Sequence, residues 1–175
     1  MKSEYDVIVV GSGAAGLTAA TVAASEKCRV LLLEAAEQIG GTSAISGGMV
    51  WMPANGKHGG DTIDAARQYL LTSAPGLPDT RVREAFLLRA GEAVDYLDSR
   101  TEVKLKPVPV YPDYYPDLPG ATPGGRVLEA LPFDGIQLGN WFSLLRAPLP
   151  EFTIFGGMMI SRADIPHFRK VFRRP

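Results

Sequence analysis

A chain of 175 residues, 46% of them hydrophobic, is long enough to bury one core. Its 18 basic and 19 acidic side chains nearly cancel, which excludes a basic face for nucleic acid. One cysteine, Cys28, excludes an internal disulfide and fits a reducing compartment, and two distant histidines, His58 and His167, give no basis for a metal centre.

The first segment, YDVIVV (5–10), is short, apolar and β-branched, and predicts a buried strand. It opens an uncharged run from Val7 to Ala24, eighteen residues, long enough to raise a membrane span. Gly11, Ser12, Gly13 and Gly16 interrupt that run, and acidic Glu4 and Asp6 stand where a signal peptide needs base. The expectation is therefore a cytoplasmic chain with no membrane span. Residues 14–26, rich in alanine, predict a helix with Leu17, Ala20, Val22 and Ala24 available for its buried face, and RVLLLE (29–34) predicts a second strand. Both strands are apolar throughout, as in a parallel sheet covered on both faces, and a right-handed crossover should join them. The fold class is α/β, Rossmann-like, with a βαβ unit at 5–34.

Between the first strand and the helix stands G-S-G-A-A-G, and Glu34 follows its last glycine by eighteen positions. That is the dinucleotide fingerprint in its required setting. Gly11 permits a tight turn, Gly13 lets the backbone approach a pyrophosphate, and Gly16 lets the helix pack on the strand. The helix N-terminus offers N–H groups and a positive dipole end to phosphate. Glu34 suits a ribose hydroxyl and repels a 2′-phosphate, which argues against NADP. The cofactor-binding set is Gly11, Ser12, Gly13, Ala14, Ala15 and Gly16, with Glu34 and Ala35.

A second small-residue stretch follows in 37–55, with Gly40–Ser43 and Ser46–Gly48. An NAD-only unit has no need of it. A flavin reaches further past the pyrophosphate and does, so the expected cofactor is FAD. The alternative for 37–55 is a flexible polar loop. Residues 61–74 predict a helix capped by Asp61, with Ile63, Ala66, Tyr69 and Leu70 on its apolar face. A turn is expected at PGLPD (75–79). Residues 79–100 predict a longer helix on the stripe Val82, Phe86, Ala90, Ala93 or Val94, and Leu97, with Gly91 accepted for close packing. Both helices are expected to pack on the sheet and to carry no chemistry.

Residues 103–127 hold six prolines and three glycines, which excludes a long helix or a central strand there. Val103–Lys106 is expected to form a short strand leading into a loop that carries Tyr111, Tyr114 and Tyr115. That loop is either a stiffened connection or a substrate-facing element. Residues 138–146 suggest a short helix. Residues 161–175 suggest another, with Ser161 and Asp164 at capping-box spacing and Ile165, Phe168 and Val171 or Phe172 buried.

GSGAAGLTAA, VLLLEAAEQIGGTSAISGGMVWMPAN and YPDYYPDLPGATPGGRVLE resemble the FAD-dependent 3-ketosteroid dehydrogenases. These belong to the fumarate reductase/succinate dehydrogenase flavoprotein superfamily. The superfamily resemblance covers residues 5 to about 60, and the steroid-dehydrogenase resemblance rests on 42–53 and 107–131. It implies that Gly41, Thr42, Ser43, Ser46, Gly47, Gly48 and Met49 line the path from pyrophosphate to flavin. It also implies desaturation of an apolar 3-ketosteroid, with hydride passing to flavin N5 and on to an external electron acceptor. The aromatic–x–Asp–Tyr segment, here Tyr111–Pro112–Asp113–Tyr114, supplies an active-site tyrosine in that family, so Tyr114 is the catalytic candidate and Tyr115 the neighbouring register. The resemblance further implies that the chain is the N-terminal portion of an FAD-binding domain, without its C-terminal part and substrate-covering domain, and by itself nearly inactive. The alternatives are a fumarate reductase-like flavoprotein and a non-catalytic dinucleotide-binding chain.

Overall fold

The computed structural model describes residues 4–76 and 80–171. Contacts divide the chain into two compact units, Met1–Gly47 with Gly135–Pro175, and Gly48–Asp134.

In the first unit, β1 (Val7–Val10) and β2 (Val30–Leu33) pair in parallel, Val7 opposite Val30 and Val10 opposite Leu33, with α1 (Ala14–Ser25) between them in sequence. This is the predicted strand–helix–strand unit. The uncharged run that raised a membrane span is divided between β1 and α1, and among the described residues no helix is long and apolar enough to cross a membrane. Asp6 ties the two strands together at their start: its carboxylate accepts from the Arg29 backbone N–H, Nε and Nη2 at 2.8, 3.2 and 3.1 Å.

The expectation of a sheet covered on both faces is not met. Side chains alternate across a strand. Val7 and Val9 are half-buried, whereas Ile8 is 61% and Val10 81% exposed. Val9 faces α1, because a Cβ at Gly16 would lie 3.5 Å from its Cγ1. One crossover helix shields one face of a two-stranded sheet and leaves the other open.

The second segment of this unit begins with a 3-10 run, Gly135–Leu144, broken at Gly139, where a short helix was expected at 138–146. Ile39 N–H donates to Leu144 O at 2.8 Å and Arg146 N–H donates to Ile39 O at 2.9 Å, forming a parallel bridge that joins the two segments. A hairpin of β6 (Thr153–Ile154) and β7 (Met158–Met159) follows, then α4 (Ile165–Val171). The Asp164 carboxylate accepts from the Ser161 N–H at 2.8 Å, as the acid of a capping box does. Ile165 is exposed, against the expectation of a buried face, and Phe168 packs its ring near Phe155. Phe172 lies outside the described residues, as do residues 77–79, which include most of the predicted turn and the start of the second long helix.

The second unit has a sheet that the sequence reading did not contain. β3 (Met49–Trp51), β4 (Leu105–Pro107) and β5 (Val127–Ala130) form an antiparallel sheet in the order β3–β5–β4. Residues 37–55 are therefore not a flexible loop but a 3-10 turn (Gly41–Ile45) and a strand, and a central strand starts where the proline-rich loop ends. Helices α2 (Ile63–Ser73) and α3 (Thr80–Arg100) belong to this unit, and α3 packs on the antiparallel sheet, not on a parallel one. Val94, Leu105 and Leu128 form the buried centre, with Val50, Met52 and Leu97 against it.

Two details of these helices differ from expectation. Thr62, not Asp61, caps α2, its side chain accepting from Ala65 N–H at 3.1 Å. The buried stripe of α3 is Leu87, Ala90 and Val94, while Val82 and Phe86 are exposed. Phe86, expected on the buried stripe, instead stacks on Trp51, ring centroids 6.0 Å apart. Gly91 has the expected reason, since a Cβ there would stand 3.1 Å from Ala54 O.

Candidate functional site

Two clusters carry chemistry, one in each unit. The first is the glycine turn. Gly11 has φ +94°, a backbone conformation that disfavours side chains, and its N–H donates to Leu33 O at the end of β2 at 2.7 Å. Gly16 is required by packing: a Cβ there would fall 1.9 Å from Gly11 O. Gly13 is different. It has φ −68°, and an added Cβ would meet only Ser43 Oγ, at 3.8 Å. Among the described residues no contact requires glycine at 13.

The predicted cofactor residues gather here in part. Ser43 Oγ accepts the first helical N–H, from Ala14, at 3.0 Å, and Gly13, at the N-cap, makes no side-chain cap, with Ala15 and Gly16 following in the first turn of α1. Gly41 abuts Gly13, since a Cβ at 41 would lie 3.3 Å from Gly13 Cα. Thr42 shares the 3-10 turn, and Ser46 closes it with both N–H and Oγ on Ser43 O. Gly47 is exposed at the end of the first unit, whereas Gly48 and Met49 fall in the second.

Glu34 is held more tightly than a waiting ribose ligand needs to be. Its Oε2 accepts from Ser12 N–H at 2.8 Å and from Ser12 Oγ–H at 2.5 Å. Its Oε1 accepts from Ala35 and Ala36 N–H at 2.8 and 3.0 Å. Ser12 Oγ in turn accepts from Gly40 N–H at 3.0 Å, so the buried serine links the fingerprint, the acid and the second glycine stretch. These bonds, the Ser12 hydroxyl first, hold the Glu34 carboxyl down at about 2. The sign follows from linkage: in the folded chain the pKa lies below the ordinary 4.5, so the unfolded chain takes up the proton first as pH falls. The stabilisation is complete above about pH 4.5 and is lost toward about pH 2. Glu34→Gln should lower the urea midpoint at pH 7, and its gap to the unsubstituted chain should close as the titration is carried down to pH 2.5. A constant gap across that range would contradict the linkage.

The second cluster surrounds a cavity of about 310 Å³ in the second unit. Met49, Trp51, Leu70 and Val127 give it apolar walls, and Tyr111, Tyr114 and Tyr115 come from the proline-rich loop. Tyr114 is 92% exposed and Tyr115 58%, both at its rim. Beneath it lies a charged group that the sequence reading missed. Arg126, 1% exposed, places Nε and Nη2 on the two oxygens of Asp61 at 3.0 and 2.7 Å, and Nη1 on Asp113 Oδ2 at 2.8 Å. Its guanidinium stands over the rings of Trp51 and Tyr69 at 5.6 and 5.7 Å. Burial pushes the Asp61 carboxyl up, but the Arg126 hydrogen bonds and the Ala54 and Thr62 N–H groups outweigh it and hold it below the usual carboxylate range. This is why Asp61 does not cap α2.

Asp113 also accepts from Trp51 Nε1–H at 2.7 Å and from Thr122 N–H at 3.0 Å. Asn55, likewise buried, spends its amide on Met52 O and Gly125 O and so joins β3 to the approach of β5. Asp113 was visible in the sequence only as a motif position. The one cue to Arg126 was its place after two glycines, where a charge would otherwise read as a solvated turn. Among the described lining residues the cavity has no lysine, arginine or histidine.

Residues 6–160 match the family model described as FAD binding domain. A 3-oxosteroid 1-dehydrogenase of Mycolicibacterium smegmatis is 38% identical over 176 residues, covering 98% of this chain and 31% of the relative. A 4-oxocyclohex-2-ene-1-carboxylate 5-dehydrogenase of Sinomonas cyclohexanicum is 39% identical over 165 residues, covering 93% and 28%. Among solved structures, a 3-ketosteroid delta1-dehydrogenase from Sterolibacterium denitrificans, in complex with 1,4-androstadiene-3,17-dione, superposes with a TM-score of 0.86 at 39% identity, over 91% of this chain and 29% of that one. The chain thus spans between a quarter and a third of the length of these three relatives.

Proposed function

We propose, from the premise that this chain belongs to the FAD binding domain family, that it serves the dehydrogenation of a carbon–carbon bond beside the ketone of a neutral polycyclic substrate of the 3-ketosteroid class. The lining of the cavity carries the choice of substrate. It offers aromatic and apolar walls with tyrosine hydroxyls, and Arg126, which stands over the Trp51 and Tyr69 rings of that wall, is already shared by two carboxylates. A dicarboxylate or an oxocyclohexanecarboxylate needs a free cation. Arg126, Asp61 and Asp113 together carry a formal −1, which opposes an anion and tolerates a neutral ring ketone.

The residues of the first unit fit FAD. Gly13 leaves its backbone open to the pyrophosphate, the first turn of α1 turns N–H groups toward it, and Glu34 with Ala35 stands at the ribose end. FAD, when bound, supplies a hydride acceptor. The chain's own contribution is the tyrosine rim. Tyr114 Oη takes the proton from the carbon beside the ketone while its own proton passes to water, to which it is exposed. A neutral phenol is a weak base, so a donor that polarises the ketone must act with it. Electrons leave to an external acceptor, and the working compartment is the cytoplasm.

Binding tests the substrate class without requiring turnover. In a Trp141→Phe chain the single remaining tryptophan, Trp51, lines the cavity. 1,4-Androstadiene-3,17-dione should quench its emission saturably, and 4-oxocyclohexanecarboxylate should not. Tyr114→Phe should weaken the steroid about fivefold, the cost of one hydroxyl hydrogen bond. Saturable binding of the carboxylate in place of the steroid would reverse the assignment.

A further inference from the structure

We propose that Tyr69, on α2, is a positioning residue that fixes the backbone on which Tyr114 is carried; the inference rests on the reading of Tyr114 given above. Tyr114 lies between two anchored neighbours. On one side, Asp113 is 4% exposed; its N–H donates to Thr122 O at 3.1 Å, and its carboxylate takes Trp51, Thr122 and Arg126. On the other side, Tyr115 N–H donates to Tyr69 Oη at 3.2 Å. Tyr114 itself is left almost wholly exposed.

The two anchors are not independent. Tyr69, 5% exposed, lies under the same guanidinium that holds Asp113, with Arg126 5.7 Å from its ring, and Trp51 is 6.2 Å away. One buried cation therefore fixes the residue before Tyr114 directly and the residue after it through a phenol. Pro112 and Pro116 flank the segment and hold their own φ angles. The result is a short span whose backbone is held on both sides of Tyr114, while the Tyr114 side chain is the most exposed in it. A ligand meeting its hydroxyl has only that side chain to order, not the loop. Tyr69 acts at one remove: its hydroxyl holds the Tyr115 amide, and its effect on a ketone passes through Tyr114.

Tyr69→Phe keeps the ring beneath Arg126 and in the cavity wall and removes only the acceptor for Tyr115 N–H. Its test is a double-mutant cycle with Tyr114→Phe, read by the dissociation constant of the steroid dienone in the Trp141→Phe background, with amide exchange at Tyr115 followed in the same chains. Tyr69→Phe should speed exchange at Tyr115 about tenfold and weaken the steroid about threefold to fivefold. In the Tyr114→Phe background it should leave the affinity unchanged, while the shift in melting temperature is the same in both. Equal weakening in both backgrounds would make Tyr69 a wall of the cavity and overturn the positioning role, as would no weakening in either. If Tyr114→Phe alone leaves affinity unchanged, or the steroid fails to bind the unsubstituted chain, the reading of the site falls and takes this role with it.

Discussion

Replacement of Arg126 by methionine should lower the melting temperature of the chain by about 10 °C or more, the largest effect expected of any single side chain here. The substitution nearly matches volume but leaves two buried carboxylates facing each other with no cation. Removing one partner of a buried ion pair costs about 3–5 kcal/mol, because the remaining charge has lost its compensation. Here two are left, Asp61 and Asp113, whose side chains are 6% and 1% exposed. Arg126→Lys should recover only part of the loss, since a single ammonium cannot reproduce a fork to Asp61 and a third bond to Asp113. The triple replacement of Arg126, Asp61 and Asp113 by apolar residues of similar size should be less destabilised than Arg126→Met alone. Calorimetry of the three chains decides the matter, and a shift under about 2 °C for Arg126→Met would mean that water reaches the cluster.

The second large effect separates folding from binding at two neighbouring glycines. Gly16→Ala should disrupt the first unit outright, because its Cβ would fall 1.9 Å from a backbone oxygen that has no room to yield. Gly13→Ala should leave the melting temperature within about a degree, since its φ of −68° is ordinary and its Cβ meets nothing closer than 3.8 Å. Its affinity for FAD should nonetheless fall at least about tenfold, because the methyl occupies the approach of the pyrophosphate. Fluorescence titration with FAD, beside thermal melts, gives both readings. A Gly13→Ala chain that binds FAD normally would remove this glycine from the cofactor site.

The contrast between these glycines also shows what a sequence can and cannot disclose. Spacing alone placed β1, α1, β2 and the turn between them, because every interaction that defines them is local or joins strands joined by one helix. Spacing also placed α2 and α3, and it named the tyrosine loop. It did not find β3 or β5. β3 is three residues behind a run of glycines, β5 is four residues behind a run of prolines and glycines, and the register joins Met49 to Glu129 across most of the unit. A short strand whose partner is distant leaves almost no periodic trace. The same distance hid the charged cluster. Asp61 reads as a helix cap because its partner stands 65 positions away, and nothing local marks Arg126 as buried. A buried ion pair has no signature in either of its neighbourhoods. Phe86 misled for a related reason: a large aromatic at helical spacing suggests core, whereas this one lies at the helix flank against Trp51.

The bridge between Ile39 and Leu145 sets an order of assembly during synthesis. The two ends of that bridge are 106 positions apart, and the whole of the second unit is translated between them. At about 5–20 residues per second, Ile39 waits roughly 5–20 s on the ribosome for its partner. Arg126 and β5, the partners of Asp61 and β3, emerge from the ribosome ahead of Leu145. Gly40 and Ser43, which follow Ile39 directly and reach back to Ser12 and Ala14, are therefore tethered on their far side only after the inserted unit has been given time to close. A chain shortened to end near residue 140 would keep the residues of the second unit's cavity and of the glycine turn but would lack that tether.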